Sequence, residues 1–448
     1  MPVFSGMHKP VLRRERRRLD PALAERQRAK RPRPSPRGRL RSLGLGLITG
    51  ASDDDPSAIG TYAAAGAAIG PSFLWVAPVA FPMMFAVVYL SSKIGQVAGQ
   101  GLFAVIRQHY SRPLLLFLLA TAVIGNVVEA AADLGGMAAA LNLIFPVPVP
   151  ALVVALAAAV FLLQLRSYTT LRDVFRWIAL ALFAYLGAAL LARPRLSAVL
   201  AGTLIPRVHF TREFLALLVA VIGTSLSAYL YSWQSNQDVE EDISMGRRRL
   251  TDRAGTTEAE LQHSRRDIAL GMGFAALIIY FIILSTAASL FTAGRTEITS
   301  AAQAARALQP LAGRAAGLLF ALGVVGVGFL AVPVMTIGAA FDLCQSFGWK
   351  HGMHAPIREA KPFYAAIALF TLAAVGLNFF GINPMRALVY AGVIQGVSTP
   401  FLLLIVMRIS NDAKVMGPWV NTRRMNLLGW ITTAAMFAAT AGLLLTFA

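Results

Sequence analysis

Long apolar segments, separated by short polar or charged connections, repeat along this chain from residue 44 onward. Each is about 20 residues long, the length at which an α-helix crosses the roughly 30 Å hydrocarbon core of a bilayer. The pattern predicts eleven spans with the approximate limits 44–69, 73–92, 113–142, 148–166, 173–192, 213–235, 267–292, 314–345, 362–381, 384–408 and 426–447. We therefore predict an all-α polytopic membrane protein.

The first predicted span is interrupted at its centre by three carboxylates and a proline. Apolar or small residues flank Asp53-Asp54-Asp55-Pro56 on both sides, each flank long enough for about half a bilayer core. Because Pro56 lacks a backbone donor and clashes with the preceding turn, we expect the helix to break there. A broken helix offers a half-helix N-terminus and free carbonyl groups, from which transporters build ion sites near the bilayer midplane. The alternative interpretation is a surface loop whose acids cap an interfacial helix.

The sixth predicted span carries a second interruption, the small and polar run GTSLSAY at residues 223–229. Hydroxyl groups satisfy the backbone groups that an unwound helix exposes, but a continuous helix with packing serines fits this run equally well. The position of this run favours an interrupted helix, because interrupted spans at corresponding places in two halves are typical of inverted repeats. We predict a transporter domain over 43–448, with repeat one at 43–193, repeat two at 212–408 and an extra helix at 425–447.

Further polar side chains within the predicted spans are candidates to line a cavity beside the two breaks. Glu129 and Asp133 in the third span are four residues apart and share one helix face, with Asn126 close by. Two carboxylates in a dry place favour a shared proton, which gives this pair a supporting or proton-handling role. The alternative is a pair satisfied by hydroxyl groups. Gln395 in the tenth span lines the same cavity or forms an interhelical hydrogen bond.

The composition agrees with a membrane protein and excludes several other classes. Of the 448 residues, 56% are hydrophobic and 14% are charged, which does not fit a soluble multidomain protein. The single cysteine, Cys344, excludes an internal disulfide framework and a cysteine-based metal cluster. The six histidines show no zinc-binding spacing. We expect no cofactor and no enzymatic activity.

The net charge of +19 has a topological explanation. Residues 1–42 are rich in arginine, proline and lysine, so we predict a disordered polybasic tail that anionic lipids attract. Binding of this tail to nucleic acid is the alternative, and we expect no nucleic-acid partner. With the N-terminus in the cytoplasm, most of the 41 lysines and arginines fall on that side, as the positive-inside rule requires. Eleven spans then place the C-terminus outside. We expect a monomer in a bacterial-type inner membrane.

The motifs resemble those of the Nramp metal-ion transporters, in order along residues 44–445. DPSA at 55–58, followed by AGA at 65–67, resembles their first-span DPGN motif. ADLG at 132–135 resembles their acidic third-span run, and residues 223–235 match in length the sixth-span segment that holds their Met-Pro-His. The resemblance implies a LeuT-like fold of two inverted five-helix repeats, with a divalent cation bound between the first and sixth helices.

Departures from the family pattern change the expected ion. The Asn position is Ala58, and the Met, Pro and His positions are Ser227, Ala228 and Tyr229. Without the soft thioether and the amide, the site is wider and made of oxygen, which suits a hard cation that keeps several waters. The chain therefore looks like the Nramp-related magnesium transporter branch. Weak or absent proton coupling is expected, because the sixth-span histidine is missing and 363–381 contains no arginine.

The resemblance thus implies an importer of magnesium, and of manganese, that works by alternating access. The expected metal site comprises Asp55 as the charged ligand, with Asp54, Ala58, Thr224 and Ser227 completing the shell through backbone oxygens, the serine hydroxyl or water. The expected supporting or proton-handling wall comprises Asn126, Glu129, Asp133, Tyr229 and Gln395. Four alternatives stay open: a proton-coupled manganese or iron importer, an amino-acid carrier on the same fold, an intramembrane aspartyl protease using Asp55 with Asp133, and a metal sensor without transport.

Overall fold

The protein is helical in the parts of the chain that the structure, a computed structural model, describes: residues 45–165, 183–192 and 194–446. The α-helices are α1 (Leu45–Asp53), α2 (Pro56–Ile69), α3 (Val76–Ala98), α4 (Leu102–His109), α5 (Arg112–Leu141), α6 (Val149–Gln164), α7 (Phe183–Leu191), α8 (Leu196–Leu204), α9 (Arg212–Ser225), α10 (Ala228–Ser244), α11 (Leu250–Arg253), α12 (Glu258–Thr286), α13 (Ala301–Ala305), α14 (Gln309–Ala312), α15 (Ala316–Phe347), α16 (Lys361–Leu377), α17 (Pro384–Asn411), α18 (Ala413–Met416) and α19 (Arg423–Leu445). A π-helical turn, Ala287–Phe291, extends α12. The predicted tail, 1–42, lies outside the described residues.

The apolar helices account for the predicted spans. Among the described residues, eight helical segments are long and apolar enough to cross a membrane. The first predicted span is made of α1 and α2, and the fourth is the shorter apolar helix α6. Part of the fifth predicted span, 173–192, lies outside the described residues, and its described part is helical over α7. The division into two repeats stays a prediction.

Both predicted helix breaks are confirmed. The first span is interrupted between Asp53 and Pro56, and the sixth between Ser225 and Ala228. Pro56 is the first residue of α2, a position at which a missing N–H leaves no helical hydrogen bond unmade. Asp55 is the N-cap of α2, so the carboxylate already lies at the positive end of a half-helix. The chain therefore exposes helix ends in the interior of the bundle.

Glycines bring the interrupted spans against their neighbours backbone to backbone. At Gly50 in α1, a Cβ atom would lie 2.2 Å from the carbonyl oxygen of Gly271 in α12. At Gly223 in α9, a Cβ atom would lie 2.1 Å from the carbonyl oxygen of Gly392 in α17. No side chain fits at either place without a backbone shift. These contacts fix α1 on α12, and α9 on α17.

Replacing Gly223 with alanine should destabilise the protein measurably. The added methyl group meets backbone atoms that cannot turn away, and overpacking of this kind costs about 1–3 kcal/mol. Thermal unfolding of the purified protein in detergent should show a lower melting temperature for Gly223→Ala. Gly317→Ala in α15 is the matched control, because nothing lies within 4 Å of a Cβ atom there. Equal melting temperatures for the two variants would contradict the packing described above.

Candidate metal site

Asp55 lies at the centre of the polar groups between the two helix breaks. Its side chain is 0% exposed. One carboxylate oxygen, Oδ1, accepts hydrogen bonds from the Ala58 N–H and the Ser57 hydroxyl, both at 2.7 Å. The other, Oδ2, accepts a longer hydrogen bond of 3.2 Å from the hydroxyl of Tyr229. Oδ2 is therefore the more weakly held of the two oxygens and the better placed to bind a cation.

Ser57 connects three buried carboxylates. Besides its bond to Asp55, the hydroxyl oxygen lies 3.2 Å from Oε1 of Glu129 and 3.3 Å from the hydroxyl of Thr224. The backbone N–H donates to Oδ1 of Asp133 at 2.8 Å. The sequence reasoning missed this residue. Its position could have revealed it, because the first N–H groups of a half-helix have no partner within the helix and must find one elsewhere.

Glu129 joins the third and tenth spans to the sixth-span break. Its Oε1 accepts a hydrogen bond from the Ser227 hydroxyl at 3.1 Å, and its Oε2 accepts one from the amide of Gln395 at 2.7 Å. The Ser227 hydroxyl also approaches the carbonyl oxygens of Gly223 at 3.1 Å and Thr224 at 2.9 Å. Ser227 therefore lies between a carboxylate and the open carbonyl end of α9.

Tyr229 connects the two interrupted spans through hydrogen bonds. Its hydroxyl contacts the carbonyl oxygen of Ser52, at the end of α1, at 2.7 Å, as well as the carboxylate of Asp55. The phenol is fully buried. Tyr229 thus contacts the predicted ligand directly.

Acceptors outnumber donors around Asp55. The hydroxyl groups of Ser57 and Ser227 carry one proton each, yet together they contact two carboxylates and two carbonyl groups. Within the described residues, no lysine, arginine or histidine pairs with Asp55, Glu129 or Asp133. Buried carboxylates need a compensating charge. The arrangement therefore fits a cation, or protons, better than an anion.

Two predicted site residues, Asp54 and Asn126, lie outside this hydrogen-bonded network. Both carboxylate oxygens of Asp54 and both amide atoms of Asn126 are buried without a hydrogen-bond partner, and the same holds for the carboxylate of Asp53. Ala58 takes part only through its N–H, which donates to Asp55 and is not a metal ligand. Among the described residues, no three histidine, cysteine, aspartate or glutamate side chains form a group able to hold a metal. The predicted ligand set takes one carboxylate and adds backbone and hydroxyl oxygens.

Comparisons with known proteins match almost the whole described chain. A sequence model of the Nramp (natural resistance-associated macrophage protein-like) family matches residues 46–446. The divalent metal cation transporter MntH of Klebsiella pneumoniae (strain 342) is 28% identical over 386 residues, which cover 85% of this chain and 88% of that protein.

Solved structures that share the fold include two transporters. The Eremococcus coleocola manganese transporter, in complex with an aromatic bis-isothiourea compound, superposes with a TM-score of 0.71 at 16% identity, covering 93% of this chain and 88% of that one. Mhp1, a nucleobase-cation-symport-1 family transporter, superposes with a TM-score of 0.51 at 12% identity, covering 90% of this chain and 92% of that one. At these identities the likeness concerns architecture alone, and it confirms the predicted all-helical, LeuT-like fold.

Proposed function

The chain belongs to the Nramp family, and from that premise we propose that it imports divalent metal cations across a bacterial-type inner membrane by alternating access. The Klebsiella relative carries the name of a divalent metal cation transporter, and the Eremococcus protein that of a manganese transporter. The observation that supports the proposal most directly is the excess of buried acceptors around Asp55. A divalent cation arriving between the two helix breaks would compensate those charges.

Asp55 is proposed as the charged ligand of the ion. Backbone oxygens near Asp54 and Thr224, together with the hydroxyl or carbonyl oxygen of Ser227, complete the shell, in part through water. The carboxylate of Asp54 is buried and makes no hydrogen bond, and its proposed role is to attract cations toward Asp55 rather than to bind them directly. The methyl side chain of Ala58, where the family has an amide, supplies no ligand, so a water molecule would take that place on the ion.

Magnesium is the proposed preferred ion, with manganese as a second substrate. The groups that contact Asp55 present only nitrogen and oxygen atoms. Where the family has a methionine thioether, this chain has the hydroxyl group of Ser227. Soft sulfur ligands favour transition metals, whereas carboxylate, hydroxyl, carbonyl and water oxygens suit magnesium. Magnesium also gives up its bound waters reluctantly, so a wide site, in which the ion keeps several of them, favours the binding of magnesium.

Weak or absent proton coupling is proposed with this ion preference. The sixth-span histidine position is Tyr229, and α16 contains no arginine. A proton-coupled manganese or iron importer is the second candidate function. The observation that favours it is the pair Glu129 and Asp133, whose carboxylates both contact Ser57 beside the predicted ligand. Either carboxylate could release a proton when the metal binds.

The proposed transport cycle moves the interrupted spans against a scaffold. The half-helices α1, α2, α9 and α10 would rock against a scaffold formed by α5, α6, α15 and α16. The proposed orientation has a cytoplasmic N-terminus and an outer C-terminus, with anionic lipid attracted to the basic residues 1–42. We propose that a monomer is sufficient for transport.

Uptake by the purified protein in liposomes, with a pH-sensitive dye enclosed, tests both the function and the coupling. We expect magnesium and manganese to enter while the lumenal pH stays constant, since no proton needs to accompany the ion. Metal-driven acidification of the lumen would contradict the uncoupled mechanism and favour the second candidate. Metal binding without flux would contradict the transporter itself, and protein-free liposomes provide the baseline.

A further inference from the structure

The interface between α10 and α15 carries a row of polar side chains that the proposed ion site does not use. The amide of Gln345 in α15 donates to Oδ1 of Asn236 in α10 at 2.6 Å, which fixes the two helices relative to each other. One helical turn closer to Asp55, on the same faces, lie Ser232 in α10 and Asp342 in α15. These two side chains are neighbours across the interface.

Ser232 and Asp342 are buried without satisfying each other. Their exposed fractions are 0% and 1%, and neither the serine hydroxyl nor either carboxylate oxygen makes a hydrogen bond of normal geometry. In the described parts of the chain, no basic side chain pairs with Asp342. A buried carboxylate that has no basic partner, and whose one neighbouring hydroxyl is out of normal hydrogen-bonding geometry, is costly. Inside a membrane span, such a residue is typical of an ion pathway.

The pair Ser232 and Asp342 lies close to the proposed ion site. Ser232 is five residues after Ser227, which corresponds to about 7–8 Å along the axis of α10. A Cβ atom added at Gly338, one turn before Asp342, would lie 3.7 Å from the Ser232 hydroxyl oxygen, an ordinary contact distance, so α10 and α15 pack closely beside the pair. The half-helix α1, which ends at the first break, packs against both α10 and α15.

Beyond the pair, the helix α4 closes the interface. The N–H of Leu102 donates to the hydroxyl of Ser235 at 3.2 Å, and the N–H of Ala104 donates to Oε1 of Gln345 at 3.2 Å. These bonds depend on the helices α10 and α15 lying together at this end. A movement of α1 and α10 away from α15 would therefore open the pair to the side on which α4 lies.

We propose that Ser232 and Asp342 form a second binding site for the transported divalent cation, on the route by which the ion leaves Asp55. This inference rests on the proposed transport function. One carboxylate and one hydroxyl, with water as the remaining ligand, are suited to a hard divalent cation that passes through partly hydrated. The site would bind the ion weakly enough to release it, and its negative charge would lower the barrier between Asp55 and the aqueous exit.

Manganese binding in detergent, followed by the loss of the free-ion electron paramagnetic resonance signal, tests the site without requiring transport. In an Asp55→Asn protein, we expect residual weak binding of manganese at the second site. Adding Asp342→Asn should weaken that residual binding by about tenfold or more, the usual scale for the loss of a charged ligand. Equal residual binding by the single and double variants would overturn the proposal.

Uptake kinetics supply the second test. Asp342→Asn and Ser232→Ala, each in the otherwise unchanged protein, should lower the maximal rate of manganese uptake by about tenfold and leave KM within about twofold, because the ion is captured at Asp55 before it reaches them. Ser346→Ala is the matched control, since that hydroxyl donates to the backbone oxygen of Asp342 and not to its carboxylate.

The outcomes separate the two hypotheses. Unchanged maximal rates in both Asp342→Asn and Ser232→Ala would overturn the second site, even if Asp55 proves essential. Absence of metal uptake by the unchanged protein would instead contradict the proposed function, and an unchanged rate with Asp55→Asn would contradict the assignment of Asp55 as the ion ligand. If Asp342→Asn lowers the melting temperature, the smaller change Ser232→Ala carries the test.

Discussion

Replacing Asp55 with asparagine is expected to reduce magnesium and manganese uptake by about a hundredfold or more, close to abolition. The substitution keeps the size of the side chain but removes the only formal charge assigned to direct ligation. It also places an amide where Tyr229 and the N–H of Ala58 now donate to a carboxylate. The loss of a charged ligand of this kind costs up to about 3 kcal/mol, which corresponds to two orders of magnitude in binding.

The measurement is initial uptake into liposomes under an inward metal gradient, with reconstituted protein quantified for each variant. Asp252→Asn is the control, because that carboxylate lies on the exposed helix α11, away from the helix breaks, and should leave uptake unchanged. Near-normal flux through Asp55→Asn would remove the central assignment. A folded variant that retains its melting temperature would show that the loss concerns binding rather than stability.

The sequence predicted the two helix breaks because each leaves a local signature. Pro56 cannot continue a helix, and three carboxylates beside it cannot face lipid. The second break lacks a proline, and its polar run at 223–229 was ambiguous alone. It became predictable only through its place relative to the first. The structure confirms both breaks, between Asp53 and Pro56 and between Ser225 and Ala228.

Contacts between distant spans were beyond the reach of sequence periodicity. Helix spacing places Asn126 near the face of Glu129 and Asp133, yet its amide makes no hydrogen bond while Gln395 does. The periodicity identifies a face and leaves the partner on that face open. Ser57 was missed for the same reason, since it reaches across to a helix more than 70 residues away. The Asp342 carboxylate is a single acid in an apolar helix, without a motif around it.

The hydroxyl of Ser227 is the position at which the selectivity hypothesis can be separated from the family fold. It lies between Oε1 of Glu129 and the carbonyl oxygens of Gly223 and Thr224, so its side chain faces the groups assigned to the ion. A hydroxyl here favours a hard, partly hydrated cation, whereas a thioether would favour softer ions. The choice between magnesium and manganese should therefore depend on this residue more than on the scaffold.

Replacing Ser227 with methionine is expected to shift the preference toward manganese and cadmium, relative to magnesium, by about tenfold or more. The thioether adds a soft ligand. Manganese and cadmium replace a bound water with such a ligand more readily than magnesium does. Competition of each metal against manganese uptake measures the shift. Ser227→Ala is the matched control, because it removes the hydroxyl without adding sulfur and should not raise the cadmium preference. The same metal ranking in wild type and Ser227→Met would mean that residue 227 does not face the ion, and that the oxygen-rich site is not what selects magnesium.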